Sequence, residues 1–161
     1  MKQGFKIVPV NLGVAGSIYT IQFEEESQTE FDKFLMADDV NNQEASLNRI
    51  KSKLIEMSTE YGFAAHYFKE SEGRKRDYVS ALSDCKLRLY CLRIDNALLV
   101  VGNGGVKTTK TYQEAPHLNA SVEDLQRVHD LLMKRIYSGR IHVDHNTGVL
   151  RGSMNFFKDQ K

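Results

Sequence analysis

The segment KLRLYCLRIDNALLVV, residues 86–101, constrains the fold of this chain more than any other stretch. Its two apolar runs flank Asp95-Asn96, a pair that favours a tight turn because both residues tolerate a positive φ angle. The second run, from Leu98 to Val101, is apolar at every position, which is typical of a buried strand. The segment therefore predicts an antiparallel hairpin whose second strand lies in the middle of a sheet.

The residues before this hairpin predict one strand and two helices. SIYTIQF alternates well enough for a strand over residues 18–23, and SQTE predicts a helix with Ser27 as its cap and Glu30 reaching back. A longer helix, stopped by Gly62, is predicted by apolar residues that recur at three- and four-residue spacing. These residues are Leu47, Ile50, Leu54, Met57 and Tyr61.

The residues after the hairpin predict a further helix and a second hairpin. NASVED is typical of a helix start, with Ser121 as the cap, and NTG at 146–148 indicates a turn between two short strands. The order of elements predicts an α+β fold, an antiparallel sheet packed against helices. We expect one domain over residues 1–161, with its core at about 18–138 and a C-terminal extension at 139–161.

The composition is that of a globular protein, with 41% hydrophobic and 27% charged residues in a chain of 161. No apolar run approaches the ~20 residues that span a bilayer, and the first residues lack the continuous apolar stretch of a signal peptide. Cys85 and Cys91 lie on or beside one strand, which is a poor placement for a disulfide. We therefore expect a cytoplasmic protein that makes no contact with a membrane.

The net charge of +1 conceals a segregation of charge along the chain. Residues 20–60 contain ten acids and four bases, whereas residues 73–110 contain eight bases and three acids. Within the basic stretch, strand alternation predicts Lys86, Arg88 and Tyr90 on one face, and apolar side chains that pack on helices on the other. Cations beside an aromatic ring suit a nucleic acid, whose phosphates pair and whose bases stack. The alternative is a solvated sheet face with Arg88 paired to an acid.

The remaining motifs indicate a function less specifically. GNGGVKTT lacks the Walker spacing, because Val106 separates Gly105 from the lysine and a threonine-rich segment follows, so we expect a bend at a strand end. In HVDH, His142 and Asp144 share a strand face while His145 points away, and we expect no metal and no other cofactor. His66 is a candidate general base, with an ordinary surface histidine as the alternative.

The arrangement resembles the RelE/HigB class of toxins from bacterial type II toxin–antitoxin modules. The resemblance lies in two helices, the basic cluster GRKR at 73–76, and LRLYCLR…ALLVVGNGGVKTTKTYQEAP, which together cover residues 43–116. The chain is similar to a longer variant of the class that is common in gut Bacteroidetes, with an N-terminal strand before the helices and a C-terminal extension. The resemblance implies a RelE/ParE-like sheet.

The resemblance implies a cytosolic endoribonuclease that needs no metal, cuts messenger RNA at the ribosome, and is silenced by a helix-turn-helix antitoxin. The resemblance does not decide whether the chain forms a homodimer. It does not decide the target either, because some relatives in the wider fold act on DNA gyrase. The alternative function is a non-catalytic module on the same scaffold that holds a protein partner or nucleic acid.

Site residues follow by position in the resemblance. Arg76 and Arg88 would hold the scissile phosphate, Tyr112 would stack on a base or take part in proton transfer, and Lys107 or Lys110 would handle protons. The catalytic set is therefore Arg76, Arg88, Lys107 and Tyr112, and the set that binds RNA phosphates is Arg74, Lys75, Lys86 and Lys110.

Overall fold

The computed structural model of the chain describes residues 4–70 and 78–157, and three of the expected site residues, Arg74, Lys75 and Arg76, lie outside them. The strands in these ranges are β1 (Phe5–Leu12), β2 (Ser17–Phe23), β3 (Lys69–Glu70), β4 (Val79–Asp84), β5 (Leu87–Asp95), β6 (Leu98–Val106), β7 (Ile141–Val143), β8 (Leu150–Gly152) and β9 (Asn155–Phe156). The α-helices are α1 (Glu30–Met36), α2 (Asp38–Asn41), α3 (Glu44–Glu56) and α4 (Pro116–Tyr137).

One sheet organises the described part of the chain, with seven strands in the order β3-β4-β5-β6-β2-β1-β9. Neighbouring strands in this sheet are antiparallel, except that β2 and β6 are parallel. Ser17 at the start of β2 pairs with Leu98 at the start of β6. β7 and β8 form a separate antiparallel ribbon. The expected α+β fold, with a mostly antiparallel sheet packed against helices, is confirmed.

Each face of the sheet carries its own apolar cluster. On one face, α1, α2 and α3 contribute Phe34, Val40 and Leu54 to a cluster that includes Leu89 and Val101 of the central strands. On the other face, α4 and the C-terminal segment pack over a cluster with members from β1, β2, β5 and β6. Because both faces are covered, β5 and β6 are apolar on both sides, and the four residues Leu98 to Val101 are completely buried.

The expected hairpin of β5 and β6 is confirmed, but the expected polar face of β5 is wrong at Tyr90. Tyr90 is buried in the cluster beneath α4. Alternation does place Arg88 and Tyr90 on the same face. The end of that face near Arg88 reaches solvent, whereas α4 crosses β5 and β6 and covers Tyr90.

Two helices begin at different residues from those expected. α1 is capped by Thr29, whose hydroxyl accepts from Asp32 N while the Asp32 carboxylate accepts from Thr29 N, so the capping box lies two residues beyond Ser27. α4 begins at Pro116, five residues before Ser121. Proline suits the first turn of a helix, and Ser121 lies inside α4, where its hydroxyl donates to His117 O.

The C-terminal strand β9 adds to the sheet beside β1, a strand that the sequence patterns did not predict. β9 pairs with β1 through Phe5 and Phe156, whose rings stack 4.6 Å apart. Arg135 of α4 donates to the carbonyls of Ser153 and Asn155 and lies over the Phe156 ring. Residues beyond 138 thus contribute to the core, among them Ile141, Leu150 and Phe156.

The sequence suggested that the glycine-rich segment bends at the end of a strand. In the structure this segment is part of β6, which continues to Val106. A bulge lies beside Tyr90, and β6 then continues in register with β5 to Val106. A Cβ atom on Gly104 would lie 1.9 Å from Arg88 O, so only glycine allows β5 to approach at this point. A neighbouring backbone therefore comes close at this glycine, within a continuous strand.

Candidate functional site

The last rungs of the β5–β6 ladder bring three of the expected cationic residues together. Lys107 N donates to Lys86 O at 2.7 Å, and Arg88 is directly opposite Gly105. Lys86 is exposed, while Arg88 and Lys107 are half-buried. Lys86, Arg88 and Lys107 therefore occupy adjacent positions at one end of the sheet.

The Arg88 guanidinium is held by the turn between β4 and β5. Its Nη1 donates to Cys85 O at 2.7 Å and to Leu87 O at 3.1 Å. Both hydrogen bonds leave from the same nitrogen, so the edge formed by Nε and Nη2 can still present two parallel donors to an oxyanion. Arg88 is thus a fixed cation with a usable fork.

Gly105, the cross-strand partner of Arg88, leaves a space that other side chains approach. A Cβ atom there would lie 3.5 Å from His117 Cδ2 and 3.8 Å from Asp39 Oδ2. His117 comes from the first turn of α4 and Asp39 from α2, so both helical layers reach this end of β6. The missing side chain of Gly105 therefore places an imidazole, a carboxylate and the Arg88 position around one strand end.

The hydrogen bond of His117 defines its proton arrangement. Its Nε2 lies 2.8 Å from Gly104 O, and a carbonyl oxygen can only accept, so Nε2 carries the proton. The neutral ring then keeps its lone pair on Nδ1, which is the form of imidazole that accepts a proton. The backbone of β6 thus orients a potential general base.

The start of α4 adds positive character to the same place. In the described part of the chain, no side chain caps Ala115, the residue before the helix, and Pro116 supplies no N–H group. The first N–H groups of a helix lack partners within the helix, and with the helix dipole they attract anions. His117 and Leu118 beside Gly105 belong to this first turn.

Tyr112 and Lys110 do not join this site as expected. Tyr112 is 2% exposed, within a short 3₁₀ turn, and its ring meets the edge of the buried Tyr90 ring. The expectation that this ring is open to a base is wrong, because the aromatic pair belongs to the core beneath α4. Lys110 is exposed on the segment before that turn, and its backbone N–H donates to Glu114.

A second polar cluster lies on the other side of the β4–β5 turn. Arg49 of α3 binds Asp84 through two parallel hydrogen bonds, 2.8 Å and 2.7 Å long. The Arg49 guanidinium lowers the pKa of the Asp84 carboxyl to about 2. The pair fastens α3 to the turn that holds Arg88, since Cys85 follows Asp84 directly.

Replacing Arg49 by methionine should make the free energy of unfolding less dependent on pH in the acidic range. A carboxyl whose pKa is lowered on folding contributes stability above its unfolded pKa, near 4, and loses it as pH falls towards 2. Because the Arg49 side chain is exposed and solvent screens the pair, we expect Arg49→Met to lower the free energy of unfolding slightly at pH 7, and by less as the pH falls through the folded pKa of Asp84. Urea unfolding at pH 7, 4 and 2.5 measures this difference, with Lys51→Met on the same helix as the control. An equal cost at every pH would contradict the assignment.

The remaining candidates have other surroundings. His145 Nδ1 lies 2.9 Å from Asp95, which joins the C-terminal loop to the β5–β6 turn, and Asp144 accepts from the backbone of Asn146 and Thr147. The His66 ring contacts the Tyr67 ring in a tilted arrangement, with 4.2 Å between the ring centroids. Cys85 and Cys91 are both free thiols, and burial raises the pKa of Cys91 to about 12. Within residues 4–70 and 78–157, no three His, Cys, Asp or Glu side chains are grouped to hold a metal ion.

The sequence patterns missed His117 and Asp39. The available signal for His117 was its place directly after Pro116, a residue typical of a helix start. Nothing local indicated Asp39, because its approach to Gly105 depends on how α2 packs against the end of β6.

Comparisons with known proteins add no relative to this description. No family model, no curated protein and no solved structure matches the chain. Among the helices of the described ranges, none is both long enough and apolar enough to cross a membrane.

Proposed function

We propose that this chain is a metal-independent endoribonuclease, the toxin of a toxin–antitoxin pair, and that the end of the β5–β6 ladder is its active site. One observation carries the proposal: His117, with Nε2 protonated by its bond to Gly104 O, lies over Gly105 opposite the arginine of the neighbouring strand. A proton acceptor beside fixed cations is what cleavage of an RNA phosphodiester requires.

The reaction divides among these residues as follows. His117 Nδ1 takes the proton of the ribose 2′-hydroxyl, and the 2′-oxygen forms a bond to phosphorus. The bond to the 5′-oxygen then breaks, and this oxygen takes a proton from the imidazolium or from water. The products are a 2′,3′-cyclic phosphate and a 5′-hydroxyl, so no oxidant, metal or second substrate is needed to balance the step.

Arg88, Lys107 and Lys86 stabilise the charge that builds on the phosphorane. A guanidinium fork binds two phosphate oxygens at once, and removing a fixed donor of this kind typically costs about 100-fold or more in rate. The first turn of α4 approaches the same space and favours the same charge.

The cellular setting follows from the resemblance to the RelE/HigB class. We propose that the substrate is messenger RNA on the ribosome in the cytoplasm, and that a helix-turn-helix antitoxin binds the chain and silences it. Arg74, Lys75, Arg76 and Lys110 would extend the contact with RNA phosphates beyond the cleaved bond. Tyr112 would support the site from the core and would not contact RNA directly.

A second candidate function is a module that binds RNA or an acidic protein at the same site without cutting. The observation that favours it is the use of Arg88 Nη1 for two backbone carbonyls, which fixes the turn. Under this alternative, the cations would bind phosphate or carboxylate groups with no change in their covalent bonds.

Induction of the chain in bacterial cells tests the proposal. We expect growth arrest and new messenger RNA ends, and Arg88→Ala should reduce the appearance of those ends by about 100-fold, because it removes phosphorane stabilisation. Arg151→Ala is the matched control, since Arg151 is an exposed arginine of the C-terminal ribbon. Circular dichroism checks that the variants fold. New ends at the same level with folded Arg88→Ala would contradict the assignment, and binding of RNA without new ends would favour the second candidate.

A further inference from the structure

A polar groove lies between α3 and the end of β4, next to the turn that holds Arg88. It has a volume of about 340 Å³ and is lined by one face of α3 together with the last residue of β4. The lining residues are Asn48, Arg49, Ser52, Lys53, Glu56 and Asp84. Ligand pockets in proteins have volumes of roughly 300–1,000 Å³, and a groove at the lower end of this range suits a single small ring system.

The groove and the candidate active site lie on either side of one residue, Cys85. Its carbonyl oxygen accepts from Arg88 Nη1 at 2.7 Å, and its Sγ lies 3.9 Å from Arg49 Nη2. Asp84, at the groove wall, pairs across the β4–β5 ladder with Leu87, the residue directly before Arg88. An RNA strand whose phosphate is held by Arg88 therefore has a neighbouring nucleotide within reach of the groove.

The lining of the groove carries no net charge. Both oxygens of Asp84 accept hydrogen bonds from Arg49, 2.8 Å and 2.7 Å long. The other two charged side chains are Lys53 and Glu56, one of each sign. The Lys53 ammonium lies 5.7 Å from the centre of the Tyr67 ring. A neutral polar lining does not favour a phosphate, so the groove suits the uncharged part of a nucleotide, its base.

The hydrogen-bonding groups of the groove match one base better than the others. The Glu56 carboxylate can only accept hydrogen bonds, the Lys53 ammonium can only donate them, and both side chains are exposed. The two residues are three positions apart on α3, so they share one face of the helix. Guanine presents two adjacent donors, N1–H and the 2-amino group, to a carboxylate, and its acceptors O6 and N7 to a lysine. Adenine, cytosine and uracil lack the two adjacent donors.

We propose that this groove holds a guanine base of the RNA next to the cut bond. The Glu56 carboxylate accepts from N1–H and from the 2-amino group, and the Lys53 ammonium donates to O6 or N7. The inference rests on the proposed function, which places the RNA phosphate at Arg88, and it adds the base that the chain selects. Contacts to a base make cleavage depend on sequence, whereas the cations at the end of the β5–β6 ladder hold any phosphate.

Binding of RNA that cannot be cut tests the groove separately from catalysis. Short 2′-O-methyl oligouridines that carry one guanine, adenine or inosine are titrated with the full chain, and binding is followed by fluorescence anisotropy. We expect the guanine oligonucleotide to bind about 10-fold more tightly than the other two, because inosine lacks the 2-amino group and adenine lacks both donors. In Glu56→Gln the three should bind with nearly equal affinity. Glu60→Gln is the matched control, since Glu60 is an exposed acid of the next helical turn, outside the groove, and it should keep the preference.

The thiol of Cys85 reports whether the bound RNA lies at the groove. It is exposed whereas the Cys91 thiol is buried, so iodoacetamide should label Cys85 selectively, which mass spectrometry measures. The bound guanine oligonucleotide should slow this labelling several-fold. Equal affinities for the three oligonucleotides overturn the proposal, as does a preference for guanine that persists in Glu56→Gln. Labelling of Cys85 that stays fast in the bound complex overturns it too.

The same titrations separate the guanine site from the proposed cleavage. A native chain that cuts RNA but binds the three oligonucleotides equally would keep the ribonuclease proposal and overturn the guanine site. A native chain that prefers guanine but cuts no RNA would support the site and favour the module that binds without cutting. Binding of none of the oligonucleotides would overturn the guanine site together with the RNA substrate.

Discussion

Replacing His117 by glutamine should lower the rate of RNA cleavage by at least about 100-fold while the protein stays folded. Glutamine can still donate a hydrogen bond to Gly104 O, so the first turn of α4 should keep its place. What it lacks is a ring nitrogen that accepts the 2′-hydroxyl proton. The rate is measured on purified protein with a short RNA labelled at its 5′ end, in buffer containing a chelator.

His142→Gln is the matched control for this experiment. His142 is an exposed histidine of the C-terminal ribbon, and we expect its replacement to leave the cleavage rate unchanged. Equal rates for the native chain and folded His117→Gln would remove His117 from the mechanism. Equal losses in both variants would indicate a general effect on the protein.

Replacing Gly148 by alanine should destabilise the fold by about 3 kcal/mol or more. Gly148 has a φ angle of +77°, and a Cβ atom there would lie 1.8 Å from Ala97 O. The positive φ costs an L-residue about 1–2 kcal/mol, and the overlap with backbone adds the rest, because the loop must move off the β5–β6 turn. The free energy of unfolding in urea measures the loss.

Gly139→Ala separates the two contributions. Gly139 also has a positive φ angle, +82°, but a Cβ atom there would have no neighbour within 4 Å. We expect this substitution to cost only about 1–2 kcal/mol. If the two alanine variants are equally stable, the docking of the C-terminal loop on Ala97 contributes nothing, which would contradict the packing described above.

The predictable parts of this fold are those that depend on neighbours in sequence. The turn at Asp95-Asn96, the buried run that follows it, and the stop at Gly62 are properties of a few adjacent residues, and each is present in the structure. The α+β class follows from the same local patterns. The strand β1 was not predicted, because Pro9 and several exposed positions interrupt the alternation of apolar and polar residues along it.

The parts that could not be predicted depend on which elements pack together. Tyr90 and Tyr112 look like surface aromatics beside cations, yet α4 covers them, and no pattern in β5 indicates that helix. The same packing brings His117 to Gly105, twelve residues away along the chain. Alternation along β5 predicted Lys86 and Arg88 on one face, whereas Lys107 was placed with them only by the resemblance, because the strand was expected to bend at the glycines before it.

The chemical nature of the cut RNA ends shows whether this chain is a metal-independent ribonuclease that uses the 2′-hydroxyl. A synthetic RNA should be cut by the native chain in the presence of a chelator to give a 2′,3′-cyclic phosphate and a 5′-hydroxyl, identified by mass spectrometry. The same RNA with a 2′-O-methyl group at the cut position should stay intact, because the attacking oxygen has no proton to give to His117. Cleavage of the methylated RNA, or products with a 5′-phosphate, would contradict attack by the 2′-oxygen.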